Sequence, residues 1–192
     1  MKNDFETINE IIRRRRSIFP PDYTDQEIPR DIIETIVANA NFAPTHRLTQ
    51  PWRFTIFRGK GLTKLADFLA EAYRLQTPPA AYSEGKYETT RNKILQSSCV
   101  IAINMQLHSD KVPEWEELAA TACAVQNMWL TATALNVGAY WSTPGSLEAL
   151  GEFLNLTPTQ KCVGIFYMGY HDAKERPAIR KPIEEKLTWV EG

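Results

Sequence analysis

Three features are missing from this sequence: long apolar runs, an excess of charge of one sign, and enough cysteines for a disulfide or zinc framework. No apolar stretch approaches the roughly 18 residues that a membrane-spanning helix needs. The N-terminal segment is rich in charge and lacks the apolar core of a signal peptide, so we expect a cytoplasmic protein. The 22 Lys and Arg residues against 23 Asp and Glu leave a net charge of −1. That balance argues against nucleic acid or a membrane as the main partner.

Ligand sets for metals and catalytic triads are missing as well. The cysteines Cys99, Cys123 and Cys162 lie far apart in apolar segments, and we expect them to be reduced core residues. The histidines have no cysteine or carboxylate at metal-ligand spacing, and no Ser-His-Asp set or Walker loop can be assembled. The sequence therefore predicts no metal site and no catalytic side chain, so redox chemistry would require a bound cofactor.

The rest of the composition is that of a globular protein, since 43% of the 192 residues are hydrophobic. This length predicts one domain, residues 1–192. Helical and strand patterns are mixed without a strict βα alternation, which favours an α+β fold over a doubly wound sheet. The predicted strands are 53–58, 99–105, 139–143 and 162–170, and the predicted helices begin near residues 4 or 7, 30, 62, 88, 113 and 147.

Short motifs predict where two of the helices begin and end. Thr7-x-x-Glu10 has the form of a capping box, so the first helix is expected to begin at Asp4 or Thr7. It is expected to run into the segment from Arg13 to Ser17, after which Pro20-Pro21 end it. Pro113 opens the longest helix, which is apolar or small on nearly all sides and must be buried on more than one of them. Gly138 is expected to stop it. Between these helices, 76–86 is predicted to be a loop or lid.

The run from Arg13 to Ser17 contains four consecutive arginines and has three interpretations. Cations suit the end of a helix, so the run fits a solvated helix terminus. It also fits a nucleic-acid patch, although the net charge argues against that. Finally, guanidinium groups pair with phosphate oxygens in a bidentate way and a serine hydroxyl adds a donor, so the run fits a phosphate clamp.

The segment from Ala43 to Trp52 places polar side chains between Pro44 and Pro51. One interpretation is a connector that buries a tryptophan. The other is a binding loop, because the carboxamide of Gln50 can both donate and accept, as the edge of a heterocycle requires.

Taken together, five segments in order along the chain resemble the FMN-dependent nitroreductase family. They are Arg15-Arg16-Ser17 after an amphipathic helix, Ala43-Pro44-Thr45 to Gln50-Pro51-Trp52, the Ala-rich helix 113–136, the strand 138–143, and Arg180-Lys181-Pro182-Ile183-Glu184-Glu185. With His46 and residues 111–116, the chain looks most like the compact branch of that family. The resemblance implies a three-layer α+β fold with a central mixed or antiparallel sheet flanked by helices.

The resemblance also implies a cofactor, a set of contacts and an assembly. The FMN contacts implied are Arg15, Arg16, Ser17, His46, Gln50, Trp141, Ser142, Thr143 and Arg180. It implies a homodimer with two FMN sites at the subunit interface. In the family, NAD(P)H passes a hydride to flavin N5 and leaves. A nitroaromatic, quinone or similar electron-poor acceptor then takes the electrons in the same pocket.

Two positions differ from the family pattern. Ile18-Phe19-Pro20 stands where a further basic residue is frequent, and Leu48 stands where asparagine is common. An FMN-binding carrier or regulatory protein without physiological reductase turnover is therefore the alternative function. The physiological acceptor and the choice between NADH and NADPH stay open.

Overall fold

The computed structural model describes residues 3–192. Its helices are α1 (Asp4–Arg14), α2 (Arg30–Ala40), α3 (Lys60–Gln76), α4 (Glu84–Leu95), α5 (Glu114–Ala134) and α6 (Leu147–Phe153). Its strands are β1 (Trp52–Phe57), β2 (Cys99–Gln106), β3 (Val137–Ser142) and β4 (Gln160–Tyr170). Short 3-10 turns span Pro20–Asp22, His46–Leu48, Pro79–Ala81 and Ile183–Lys186. Within residues 3–192, no helix is long and apolar enough to span a membrane.

The four strands form one antiparallel sheet in the order β1-β2-β4-β3. Its two faces carry separate apolar clusters, one shared with α2 and α5 and the other with α3, α4 and α6. Helices therefore cover both faces, and the predicted α+β class with three layers is confirmed. All four predicted strands exist, with ends shifted by one or two residues.

The central strand β2 shows why a continuous apolar run marks a strand buried on both faces. Ile101 and Ile103 point into the α2/α5 cluster, whereas Val100 points into the opposite one. Burial raises the pKa of the Cys99 thiol to about 12. Cys99 is thus a core residue as predicted, but the same prediction is wrong for Cys123, which is exposed on α5.

Helix α1 begins at Asp4, one of the two predicted starts, but its capping box is not the predicted one. Asn3 accepts a hydrogen bond from the Glu6 amide at 2.9 Å, and the Glu6 carboxylate accepts one from the Asn3 amide at 3.2 Å. The helix ends at Arg14, because Arg15 turns out of the helical conformation with φ −53° and ψ 126°. The expectation that it runs on toward Ser17 is therefore wrong.

The end of α5 also differs from the expectation. Helix α5 ends at Ala134 and Asn136 takes the left-handed conformation with φ 55°, which asparagine tolerates better than most residues. Gly138 does not stop the helix but lies within β3. A Cβ there would lie 2.8 Å from His171 Cδ2 and 2.9 Å from Ile18 Cγ2, so close packing requires the glycine.

The segment 76–86, predicted to be a loop or lid, is partly helical. It contains the 3-10 turn Pro79–Ala81 and the first residues of α4, which begins at Glu84 rather than near residue 88. The Tyr73 hydroxyl accepts a hydrogen bond from the Ser83 amide at 3.1 Å and fixes the start of that helix.

A buried carboxylate on α5 yields a stability prediction. Glu117 is 1% exposed, accepts a hydrogen bond from the His108 amide at 3.0 Å, and lies 2.7 Å from His108 Nδ1. Glu117→Ala should lower the free energy of unfolding by roughly 1–3 kcal/mol, because it leaves the amide unsatisfied. The matched control is Glu114→Ala, which removes an exposed pair with Lys161 and should cost about 1 kcal/mol or less. Equal losses in urea denaturation would contradict this ranking.

Candidate functional site

Arg15, one of the predicted site residues, packs against a tryptophan of α5. Its guanidinium carbon lies 4.4 Å from the centre of the Trp129 ring, a cation–π contact that partly buries it. Its Nη1 is buried and has no hydrogen-bond partner among residues 3–192. Burial, and then the charges of Arg180 and Arg16, lower the pKa of Arg15. All three causes disfavour the charged form, so an anion at this point would relieve them.

Arg16 points to different partners from those of Arg15. Its Nη1 donates to Arg13 O at 2.5 Å and to Arg15 O at 2.7 Å, and its Nε donates to Arg176 O at 3.1 Å. The bonds to Arg13 O and Arg15 O satisfy carbonyls at the end of α1 that the helix itself leaves free. Arg16 also lines a cavity of about 510 Å³ with Arg13, Arg14 and Arg176. Its contact with FMN stays a prediction.

The segment after α1 reaches β3 by way of Ile18. The Ile18 amide donates to Ala139 O at 3.1 Å, which fastens the backbone that follows Ser17 to the strand carrying Trp141 and Ser142. Three of the predicted regions are therefore close to one another: residues 15–17, Arg180 and β3. This proximity could not be read from the sequence, because more than 100 residues separate residues 15–17 from β3 and from Arg180.

The Trp141 side chain packs directly against the backbone of Gly164, a glycine that the sequence did not identify as important. Trp141 Nε1 donates to Val163 O at 3.3 Å, and Gly164 has φ 147°. A Cβ at Gly164 would overlap Trp141 Nε1 and lie 2.8 Å from Ser142 O. Thr143 follows the strand and is exposed. A glycine inside an apolar strand is the signal that could have revealed this close approach.

The loop that contains His46 and Gln50 is strained. Arg47, Leu48 and Gln50 have φ of 48°, 54° and 44°, a conformation that costs a non-glycine residue about 1–3 kcal/mol. The Thr45 hydroxyl accepts a hydrogen bond from the Gln50 amide at 3.1 Å. Such strain is concentrated at functional sites, which supports the binding-loop interpretation.

A carboxylate on α5 fastens this loop. His46 Nδ1 lies 2.5 Å from Glu116 Oε2, at the N-terminal end of the helix. The side chains of Leu48 and Gln50 are exposed, with Leu48 at 81%. Glu116 is 70 residues from His46 along the chain, so the sequence pattern alone does not predict this contact. The structure does not bring this loop to Arg15, which contacts α5 near the other end, at Trp129.

Comparison with known proteins identifies the family of this chain. The sequence model of the nitroreductase family matches residues 12–170, which is most of the chain. The chain belongs to the nitroreductase family. The resemblance inferred from the five segments is therefore confirmed, and so is the nitroreductase-like fold.

Individual relatives agree with this membership. "Putative NAD(P)H nitroreductase YfhC" of Bacillus subtilis is 25% identical over 184 residues, covering 94% of this chain and 93% of that protein. The crystal structure of a nitroreductase-like family protein from Bacillus cereus has a TM-score of 0.84 at 26% identity and full coverage of both chains. A "putative nitroreductase in complex with FMN" from Desulfovibrio desulfuricans has a TM-score of 0.73 at 24% identity, covering 100% and 99%.

Within this nitroreductase fold, residues 3–192 contain no group of three or more His, Cys, Asp or Glu side chains that could hold a metal ion. The arrangement offers a half-buried arginine whose Nη1 lacks a partner, a strand end packed tightly around a tryptophan, and a strained polar loop. Their charges and donors suit the binding of an organic cofactor.

Proposed function

We propose that this chain is an FMN-dependent NAD(P)H oxidoreductase that reduces nitroaromatics, quinones or similar electron-poor acceptors by a ping-pong mechanism. The observation that carries the proposal is the buried, unpartnered Nη1 of Arg15 beside Arg180. Family membership supports it, as do the NAD(P)H in the name of the Bacillus subtilis relative and the FMN bound in the Desulfovibrio structure.

The residues around Arg15 fit the phosphate of FMN. Two arginines supply forked donors that match phosphate oxygens, and the Ser17 hydroxyl adds another donor nearby. We assign Arg15, Ser17 and Arg180 to the phosphate, and we keep Arg16 as a candidate contact. This assignment explains why the buried Nη1 of Arg15 has no hydrogen-bond partner among residues 3–192.

The remaining predicted contacts belong to the rest of the cofactor. We assign Trp141, Ser142, Thr143, His46 and Gln50 to its ring and ribityl chain. The Gln50 carboxamide can both donate and accept at a ring edge that carries C=O and N–H groups. When bound, FMN supplies the redox chemistry, since its ring can accept a hydride and return two electrons. The protein binds it, orients it and balances its charge.

The positions along α5 favour a site completed by a second copy of the chain. Glu116, which holds His46, and Trp129, which contacts Arg15, are between three and four turns apart, about 20 Å at 1.5 Å per residue. We therefore propose a homodimer in which the loop of one protomer completes the site of its partner. Exposed apolar side chains on α1, on α5 and in the tail support such an interface: Phe5, Ile8, Ile12, Trp115, Leu118, Ile183, Leu187, Trp189 and Val190.

Deletion of the tail tests the dimer. Trp189 and Val190 are 78% and 95% exposed, so removal of residues 183–192 should leave each protomer folded while taking apolar area from the interface. By analytical ultracentrifugation we expect a dimer for the intact chain and a shift toward monomer for the deletion. The control is Lys186→Ala, which removes a charge from the same tail and should stay dimeric. A deletion variant that remains fully dimeric would contradict the tail's role.

The alternative is an FMN carrier or regulatory protein without reductase turnover. The exposed Leu48, where the family commonly has asparagine, favours it because one polar contact to the ring is lost. Steady-state oxidation of NADH and of NADPH by the FMN-loaded protein, with a quinone or nitroaromatic, separates the two. The reductase should show acceptor-dependent oxidation with the parallel double-reciprocal lines of a ping-pong mechanism. FMN binding without turnover would favour the carrier.

A further inference from the structure

Two reciprocal hydrogen bonds join the segment after β4 to the segment after α1. Arg16 Nε donates to Arg176 O at 3.1 Å, and Arg176 Nη2 donates to Ser17 O at 3.3 Å. We call these two bonds the arginine clasp. It brings together residues that are about 160 positions apart in the chain, at the point where the backbone passes Arg15.

Among residues 3–192, the clasp is the last hydrogen-bonded link between the tail and the rest of the protomer. Before it, the Thr24 amide donates to Tyr170 O at 2.8 Å and the Asp172 amide donates to Asp22 O at 3.3 Å. Beyond it, the hydrogen bonds of residues 177–192 join only tail residues to one another, within the part of the chain that the structure describes. The path of the tail after Arg176 is therefore set at the clasp.

Arg180 follows the clasp by four residues and lies close enough to Arg15 to lower its pKa. Two guanidinium groups repel each other, so within a single protomer, where the tail beyond the clasp has no hydrogen bond to the other described elements, Arg180 would move away from Arg15. Among the hydrogen bonds that the structure describes, those of the clasp are the ones nearest to Arg180 that oppose this movement. Arg176 itself is exposed, so its side chain makes no contribution to an apolar core.

We propose that Arg176 is a positioning residue for the phosphate site: through the arginine clasp it holds the tail so that Arg180 stays beside Arg15. This inference rests on the proposed function, because it takes the anion at Arg15 and Arg180 to be the phosphate of FMN. Arg176 does not touch the cofactor in this account. It acts through Arg180 and should have no effect of its own once Arg180 is removed.

A double-mutant cycle tests this dependence. FMN and riboflavin are titrated into the apo forms of the intact protein, Arg176→Ala, Arg180→Ala and the double variant. Arg180→Ala should weaken FMN binding at least tenfold, and Arg176→Ala about tenfold, because each loses a hydrogen bond to a charged group directly or through the tail. The double variant should be no weaker than Arg180→Ala, and riboflavin affinity should stay within about twofold throughout.

Lys174→Ala is the matched control, since it removes an exposed cation from the cavity that Arg16 and Arg176 also line and leaves the clasp intact. It should bind FMN like the intact protein. If the intact protein prefers FMN to riboflavin and Arg180→Ala reduces that preference at least tenfold, the phosphate site stands; an unchanged preference in Arg180→Ala would overturn the inference about Arg176 together with the assignment of Arg180. The inference about Arg176 is then overturned if Arg176→Ala binds FMN with unchanged affinity. It is also overturned if the losses of FMN affinity in the two single variants add in the double variant. An intact protein that binds FMN no better than riboflavin would overturn both proposals.

Discussion

Arg15→Ala is expected to weaken FMN binding about ten- to a hundred-fold while leaving riboflavin binding nearly unchanged. The two ligands differ by one phosphate, so a residue that binds only this group affects one affinity and not the other. The buried Nη1 and the neighbouring Arg180 make Arg15 the strongest candidate for that role. A hydrogen bond to a charged group contributes roughly 1.5–3 kcal/mol, which gives the expected range.

The control for this experiment comes from the same arginine run. Arg13 lies within α1, is exposed, and should change FMN affinity little when replaced by alanine. Both variants lose one positive charge, so a general electrostatic effect would weaken them equally. Equal losses for Arg13→Ala and Arg15→Ala, or an equal loss of riboflavin affinity, would show that the run is only a charged helix end.

Gly164→Ala should lower the free energy of unfolding by roughly 2–5 kcal/mol. Its φ of 147° is costly for alanine, and the added Cβ would overlap Trp141 Nε1 and approach Ser142 O to 2.8 Å. Trp141 would have to leave its hydrogen bond with Val163 O, so FMN binding should weaken as well. Urea denaturation measures the first effect, and titration of the apo form measures the second.

Gly151→Ala is the matched control, because it makes the same chemical change inside α6. A Cβ there would meet only Leu156 Cδ1, at an ordinary 3.8 Å, and alanine is the better helix former by about 1 kcal/mol. This variant should be as stable as the unmodified protein or more so. A Gly164→Ala protein of unchanged stability would mean that the strand accommodates the methyl group, and the packing argument would be wrong.

The sequence predicted the architecture well because hydrophobic patterns reflect burial directly. The run 99–105 is apolar at nearly every position because both faces of β2 are covered, and α5 is apolar on several sides because it packs against both the sheet and α2. The ends of the helices were harder to predict. Asn3 caps α1 rather than Thr7, and Asn136 rather than Gly138 takes the left-handed conformation after α5, because several residue types can serve either role.

The candidate site could be predicted only as a set of segments. Arg15 and Arg16 are adjacent residues of the same type, yet Arg15 contacts Trp129 and Arg16 donates to three backbone carbonyls. Side-chain directions at the end of a helix depend on distant partners, here α5 and the tail. The strain at Arg47, Leu48 and Gln50 was equally hidden, because no glycine marks the left-handed positions. The separation of this loop from Arg15 emerges only from the positions of Glu116 and Trp129 along α5.

The most direct test of the central claim is the visible absorption spectrum of the purified protein, supplied with FMN, desalted and then mixed with NADH or NADPH without oxygen. We predict a yellow protein that retains bound flavin through desalting and whose flavin bands bleach when at least one of the two nucleotides is added. A protein that stays colourless after incubation with FMN would contradict the account of Arg15, Arg180 and the loop as a cofactor site.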